Sequence, residues 1–303
     1  MTEKNTNQDT AVIGGWNYGG QAVMEGVMMR GAYHAAIAVR RPDNHEIVVK
    51  TEPVSGIYRG RLSKIPFLRG LPMLWDALGL GMRALFYSAE IVGQAEDPEF
   101  TMGGAMGITT GALSMIVGVL LFMLFPSWLA GLIVPEGDLL FNVVEGLIRL
   151  TILVGYMFAV GQLEDIRRVF AYHGSEHKTI NAYEAGVPLT VENVRAYSTA
   201  HARCGTAFLL IVALISILVF APLGKPALFW RLLSRLVMIP IITGIAYEVL
   251  RFTGRHADNR LIQLLIKPNL ALQRLTTREP DDDMLEVAIT ALKTVLEKEQ
   301  PCE

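Results

Sequence analysis

The chain has 303 residues, of which 51% are hydrophobic and only 18% charged, and its formal net charge is −2. Soluble domains usually carry about 25% charged residues, and the charges here are dense in some windows and absent from others, which is typical of an integral membrane protein. The near-neutral total excludes the basic excess of nucleic-acid-binding proteins, and two cysteines, Cys204 and Cys302, exclude a disulfide framework.

The first segment, residues 1–70, is mostly polar and predicts a cytoplasmic, β-rich part. Runs at 35–39 and 46–50 are compatible with strands, and Pro42-Asp43-Asn44 between them indicates a turn. Before them stands the glycine-rich stretch GGQAVMEGVMMRG at 19–31, whose four glycines favour tight turns. Glu25 and Arg30 belong either to a plain strand–turn–strand or to a site that faces a later loop.

The next segment, residues 71–99, predicts an amphipathic helix behind a basic cluster. Within it Asp76, Arg83 and Glu90 recur at intervals of seven and share one face, which favours an interfacial or packed helix. A basic cluster favours anionic lipid headgroups by about 1 kcal/mol per charge. The cluster that precedes this helix comprises Arg59, Arg61, Lys64 and Arg69.

Four later stretches are long and apolar enough to span a membrane. Two lie in the segment 100–163, at 104–125 (ended by Pro126) and at 139–163. The other two lie in the segment 205–250, at 205–224 and 228–250. In the second span Glu145 and Arg149 are four residues apart and predict an intrahelical pair, which is either functional or a structural ion pair.

Basic residues predict the orientation of these spans. Residues 1–100 hold ten Lys and Arg, the loop at 126–138 holds none, and the tail after Leu250 holds eight. By the positive-inside rule both termini and the 164–204 loop are cytoplasmic, with the protein in the bacterial inner membrane. The expected partners are the lipid bilayer with its anionic headgroups and a protein partner on the cytoplasmic face; no nucleic acid is expected.

The cytoplasmic loop 164–204 contains HGSEHK at 173–178, the most chemically suggestive stretch of the chain. On a helix His173 and His177 share a face and are spaced to hold one divalent metal ion, with zinc favoured. In this HxxEH order Glu176 is the candidate general base. Glu184, seven residues after His177, is the predicted third metal ligand. A structural histidine pair bonded to backbone or headgroups is the alternative.

Further candidates come from the end of this loop and from the N-terminal segment. Glu25, His201 and Cys204 are other possible third ligands. His201 and Arg203 also suit interfacial anchors before the third span, and Cys204 suits a small buried residue. In the tail, residues 251–303, an amphipathic helix at 284–298 is expected to pack on the N-terminal strands.

These motifs together resemble the YqhQ-type bacterial membrane proteins, a family of unknown function often labelled as predicted metal-dependent enzymes. The matching pieces run in order through almost the whole chain: GGQAVMEGVMMRG at 19–31, PFLRG at 66–70, HGSEHK at 173–178, YEAG at 183–186, LTVENVR at 189–195, RCGT at 203–206 and LTTREPDDDMLEVAI at 275–289. The family usually has proline where this chain has Ala202, and often alanine in place of Ser175. Neither difference affects a candidate ligand.

The sequence therefore predicts a mainly α membrane protein of about four transmembrane helices with a small cytoplasmic α+β part. Its first function hypothesis is a metal-dependent hydrolase with a cytoplasm-facing site. The second is a non-enzymatic membrane scaffold or assembly factor. The third is a small transporter in which Glu145 and Arg149 line a path.

Overall fold

The computed structural model of the chain describes residues 18–55, 65–134, 138–201, 203–224, 227–256 and 259–299. Within these ranges four helices are long and apolar enough to cross a membrane, and a four-stranded antiparallel sheet precedes them. The predicted fold class, a mainly helical membrane protein with N-terminal strands, is confirmed.

The sheet is a meander whose strands pair in chain order. The strands are β1 Gly19–Val23, β2 Gly26–Arg30, β3 His34–Arg40 and β4 Ile47–Pro53. The glycine-rich stretch forms the β1–β2 hairpin, where Glu25 adopts a positive φ of 49° at the turn. A Cβ on Gly26 would lie 2.3 Å from the carbonyl oxygen of Ala38, so glycine is needed where the start of β2 pairs with β3.

Helices cover both faces of this sheet, because β3 is apolar on both of its faces. Ala35, Ile37 and Val39 point to one side, where they pack against helix α1, Gly70–Gln94. Ala36 and Ala38 point to the other side, where helices α5 (Glu164–Glu184) and α10 (Asp282–Glu299) pack. The C-terminal helix thus contributes to the core of the N-terminal sheet: its apolar stripe includes Ala288, Leu292 and Val295.

The α10 helix is also fastened to the sheet at its C-terminal end. Oε1 of Glu299 accepts hydrogen bonds from the backbone N–H groups of Tyr33 (2.7 Å) and His34 (3.2 Å), at the start of β3. The Tyr18 hydroxyl donates to the other oxygen of Glu299 at 3.1 Å. One carboxylate therefore joins the last described residue of the chain to the first.

The first candidate span continues to Ile133, beyond the predicted end at Pro126. Helix α2, Gly104–Val119, passes through a π-helical segment at Leu120–Leu124 into helix α3, Phe125–Ile133. Proline has no N–H to donate to the carbonyl four residues earlier, that of Phe122. Arg149 Nε donates to this carbonyl instead, at 2.9 Å, and the wider π turn accommodates the proline ring.

The other three candidate spans follow the predicted segments. They are helix α4 (Asp138–Val160), helix α7 (Gly205–Phe220) with a short 3₁₀ turn after it, and helix α8 (Leu228–Arg255). Helices α4 and α7 pack closely, since a Cβ on Gly146 would lie 2.3 Å from Ile217. Two further helices, α6 (Val191–Arg195) and α9 (Arg260–Thr276), complete the described secondary structure.

Helix α1 packs on the sheet and against α8 rather than crossing the bundle. Its entry is held by an ion pair between Arg69 and Glu248 at 2.5 Å, and a Cβ on Gly244 would lie 2.1 Å from the Phe67 carbonyl oxygen. On its other face Trp75 is 75% exposed, which suits the predicted interfacial position. Of the predicted basic cluster, Arg59, Arg61 and Lys64 lie outside the described residues.

Candidate metal centre

Helix α5 carries the HGSEHK motif and is buried through its second half. The helix begins with Glu164 and Asp165 in its first turn, where the helix dipole stabilises negative charge. Glycine is needed at position 174 because the backbone that follows α9 passes directly alongside the helix. A Cβ on Gly174 would lie 2.1 Å from the Arg278 carbonyl oxygen. The Arg278 N–H donates to the Phe170 carbonyl at 2.9 Å, which fixes this crossing.

Both histidines of the motif have one ring nitrogen bonded to a backbone carbonyl. His173 Nδ1 lies 2.8 Å from the Thr276 carbonyl oxygen, and His177 Nδ1 lies 2.6 Å from that of Thr199. A carbonyl oxygen only accepts hydrogen bonds, so each Nδ1 carries the proton. Each Nε2 is then left with a lone pair, which is the arrangement that metal-ligating histidines usually have.

Cys204 meets this histidine pair from the start of the third candidate span. It is the N-cap residue of α7, and its Sγ accepts from the Thr206 N–H at 3.4 Å. Sγ lies 3.2 Å from His173 Nε2. Within the described part of the chain, His173, His177 and Cys204 form a group whose ligand atoms all lie within 4.8 Å of one another.

The carboxylate of Glu176 faces the same point. Its Oε2 lies 3.5 Å from His177 Nε2 and 4.0 Å from His173 Nε2, and the residue is 5% exposed. Strand β1 closes the site from behind, because a Cβ on Gly20 would lie 2.9 Å from Glu176 Cγ. Two imidazole lone pairs and a sulfur therefore converge, with a carboxylate oxygen beside the imidazoles, and such a group of acceptors favours a cation between them.

His201 stands beside this cluster. Its ring centroid is 5.6 Å from that of His177. Gln273 holds its backbone on both sides: the His201 N–H donates to Oε1 at 3.1 Å, and Nε2 donates to the His201 carbonyl at 2.8 Å. Burial lowers the pKa of His201 below its ordinary value, although the charge of Glu176 opposes the shift. The imidazole is therefore neutral at neutral pH.

Glu184, the third ligand expected from the sequence, lies outside the cluster. Seven residues along α5 correspond to about 10 Å of helix axis, which carries Glu184 beyond reach of a metal ion held by His177. Its carboxylate instead forms an ion pair with Arg203 and lies 3.6 Å from His201 Nε2. Of the alternatives named from the sequence, Cys204 is the one that lies beside the histidine pair.

Glu25 and Arg30 also lie apart from the cluster. Glu25 Oε1 pairs with Arg168 Nε at 2.5 Å, and the Tyr172 hydroxyl donates to its other oxygen at 3.3 Å. Arg30 lies at the end of β2, in register with Gly19 and Ala35. Glu25 thus joins the β1–β2 turn to α5 rather than facing the histidines.

An open groove of about 690 Å³ lies along α5 and is separate from the histidine cluster. Its α5 residues, spaced at three and four, project from the side of the helix opposite His173 and His177. The groove is lined by Gln162, Glu164, Arg167, Arg168, Ala171, Arg278, Glu279 and Met284. This groove therefore gives no access to the cluster.

Glu145 and Arg149 pair as expected, at 2.8 Å, and Glu145 has a second partner that sequence reasoning missed. Arg235 of α8 forms an ion pair with the other carboxylate oxygen, and both Glu145 and Arg235 are buried. A signal was present in the sequence: an arginine in a predicted span needs a counter-charge. These groups lie in the halves of α4 and α8 remote from the metal centre.

Comparison with known proteins agrees with the resemblance seen in the motifs. The family described as "Protein of unknown function (DUF1385)" matches residues 65–298. The chain is 37% identical over 297 residues to "Uncharacterized protein YqhQ" from Bacillus subtilis (strain 168), covering 93% of each chain. No solved structure matches the chain significantly. The chain therefore belongs to the DUF1385 family, as a YqhQ-like member.

Proposed function

We propose that this protein is a membrane-embedded, metal-dependent hydrolase. The observation that carries the proposal is the convergence of His173 Nε2, His177 Nε2 and Cys204 Sγ, with both histidine Nδ1 atoms already engaged by backbone carbonyls. Three protein ligands with a further position left for water or substrate are typical of catalytic zinc sites. Zinc is the favoured ion, because imidazole and thiolate both suit it.

The geometry requires a small contraction to hold zinc. Ligand atoms around a tetrahedral zinc ion lie about 3.5 Å apart, given Zn–N bonds of about 2.0–2.1 Å and a Zn–S bond of about 2.3 Å. The His173–Cys204 pair, at 3.2 Å, already has this separation.

Hydrolysis by such a site needs an activated water and a base. A bound divalent ion lowers the pKa of water to about 7. Glu176 is placed to accept the proton, since its Oε2 lies 3.5 Å from His177 Nε2 and therefore beside the ligand group. His201, neutral and adjacent, is the next polar side chain around the site.

The position of the site suggests a substrate that is presented at the membrane surface. Cys204 immediately precedes the span that begins at Gly205, and α5 begins four residues after α4 ends at Val160. We infer that this surface is the cytoplasmic one and that both termini lie there. The distribution of Lys and Arg in the loops supports this orientation.

A non-enzymatic scaffold is the second candidate, and the burial of the cluster favours it. His177 is 1% exposed and Glu176 5% exposed, and both histidines are held by backbone carbonyls. In a scaffold the same ion would join α5 to the start of α7 as a structural link. It would then support a partner-binding surface rather than catalysis.

Metal content of the full-length protein, purified in detergent and measured by mass spectrometry, tests the site. We expect about one equivalent of a divalent metal, with zinc favoured, and its loss in Cys204→Ser and in His173→Ala/His177→Ala. Glu184→Gln is the matched control, because Glu184 is on the same helix and outside the cluster. It should keep the metal.

The outcomes separate the two candidates. Metal that is absent from every variant, or equal in all of them, rejects the metal centre. Metal that is bound and specific should be followed by hydrolysis assays on a panel of nitrophenyl esters and phosphates. Activity that Glu176→Gln abolishes while the metal is retained supports the hydrolase, and a metal-loaded protein inactive on every substrate favours the scaffold.

A further inference from the structure

Three arginines and one glutamate meet inside the transmembrane bundle, at the end opposite the sheet. Glu145 is 1% exposed. Its Oε1 accepts from Arg149 at 2.8 Å, and its Oε2 is paired with Arg235. Both carboxylate oxygens already have cationic partners, so the carboxylate has little capacity to neutralise a further charge.

Arg231 is the third arginine, one helical turn before Arg235 on α8. Its guanidinium lies over the Phe141 ring, 5.2 Å from the centroid. Its Nε is buried and has no hydrogen-bond partner among the described residues. A buried N–H without an acceptor is costly. Within the described residues the group carries three positive charges and one negative, a net charge of +2.

Aromatic residues place this group just below the membrane surface. Trp230 and Trp128 are 62% and 60% exposed, at the ends of their helices that lie away from the sheet. Exposed tryptophans of this kind mark the boundary between headgroups and hydrocarbon. Arg235 is five residues further along α8 than Trp230, or about 7.5 Å deeper. The excess charge therefore lies within reach of headgroups and of dissolved anions.

We propose that Arg231 and Arg235 form a binding site for a phosphate-bearing anion at this end of the bundle. A guanidinium presents a planar fork of N–H donors that matches phosphate oxygens. A bound anion would supply the missing acceptor to Arg231 Nε and offset the excess positive charge in a region of low dielectric. The same chemistry is available from a phospholipid headgroup and from free phosphate.

Titration of the full-length protein in maltoside detergent tests this site. The protein is titrated with inorganic phosphate at constant ionic strength and, separately, with mixed micelles that contain phosphatidylglycerol. Tryptophan fluorescence is the readout, because Trp230 is next to Arg231. We expect saturable binding that Arg231→Gln weakens at least tenfold. Arg231→Lys, which keeps the charge but loses the fork, should weaken it less and covers the case in which Arg231→Gln misfolds.

The matched control is Arg251→Gln, at the other end of the same helix, which should leave the half-saturation concentration within twofold of the wild-type value. Saturation by both probes supports a site open to dissolved anions, and saturation by phosphatidylglycerol alone supports a lipid site. The proposal is overturned if neither probe saturates, or if the arginine variants bind equally well.

Discussion

Gly174→Ala is expected to destabilise the protein by about 3 kcal/mol, as an overpacked contact does. Glycine to alanine inside a helix normally stabilises it by up to about 1 kcal/mol, so the sign is reversed here. The new Cβ would lie 2.1 Å from the Arg278 carbonyl oxygen, and backbone atoms have little room to move. The shift should also separate His173 from Cys204 and reduce the bound metal.

Thermal unfolding in detergent, followed by tryptophan fluorescence, measures this effect. A loss of about 3 kcal/mol corresponds to a decrease in Tm of roughly 5 °C for a chain of 303 residues, given an unfolding entropy of about 2.1 cal/mol/K per residue. Gly155→Ala is the control: it is also inside a helix, and nothing lies within 4 Å of its Cβ position. That variant should unfold at the wild-type temperature or slightly above. Equal Tm values for the two variants would contradict the close crossing at Gly174.

The second large effect is expected from Glu145→Gln, which should destabilise the protein by about 3–5 kcal/mol. Removing one partner of a buried ion pair leaves an uncompensated charge, and the cost is far larger than that of losing the pair as a whole. Here the carboxylate is shared by Arg149 and Arg235, so two guanidiniums lose their counter-charge. The same thermal unfolding measurement reports the change.

Two further variants test this explanation. Glu145→Gln/Arg235→Met removes charge from both partners and should recover much of the lost stability. Glu248→Gln breaks an ion pair of similar composition, with Arg69, in which the two side chains are 19% and 16% exposed. That change should cost less, about 1.5–3 kcal/mol, because part of each side chain is open to water. If Glu248→Gln proves as costly as Glu145→Gln, burial is not the cause.

The elements that the sequence predicted well are those with a strong local signal. The long apolar windows predicted the four spans, and the β-compatible run at 35–39 predicted β3. The predicted end of the first span was wrong, because the prediction took Pro126 alone as the end of the helix, which continues to Ile133. The carbonyl that the proline leaves without its usual donor accepts a hydrogen bond from Arg149 instead. Arg149 lies 23 residues after the proline, so a local sequence pattern does not contain that contact.

The metal centre was predicted only as far as helical periodicity extends. Spacing of four brings His173 and His177 together on α5. The sequence favoured Glu184 on the same helix as the third candidate ligand and named Cys204 as an alternative; the side chain that lies beside the histidine pair is Cys204, at the N-cap of α7. The carbonyls that fix the two imidazoles belong to Thr199 and Thr276, in separate parts of the chain. Such contacts depend on tertiary packing rather than on local sequence.

The packing of α10 against the N-terminal sheet has a consequence for biosynthesis. The ribosome adds 229 residues between Pro53 and Asp282, and the four candidate spans must enter the membrane during that interval. At typical elongation rates the interval is roughly 10–50 s. Until α10 emerges, one face of the sheet has no final cover, including Val27 and Met29. Nascent chains should therefore depend on chaperones, and truncation before α10 should send the protein to proteolysis.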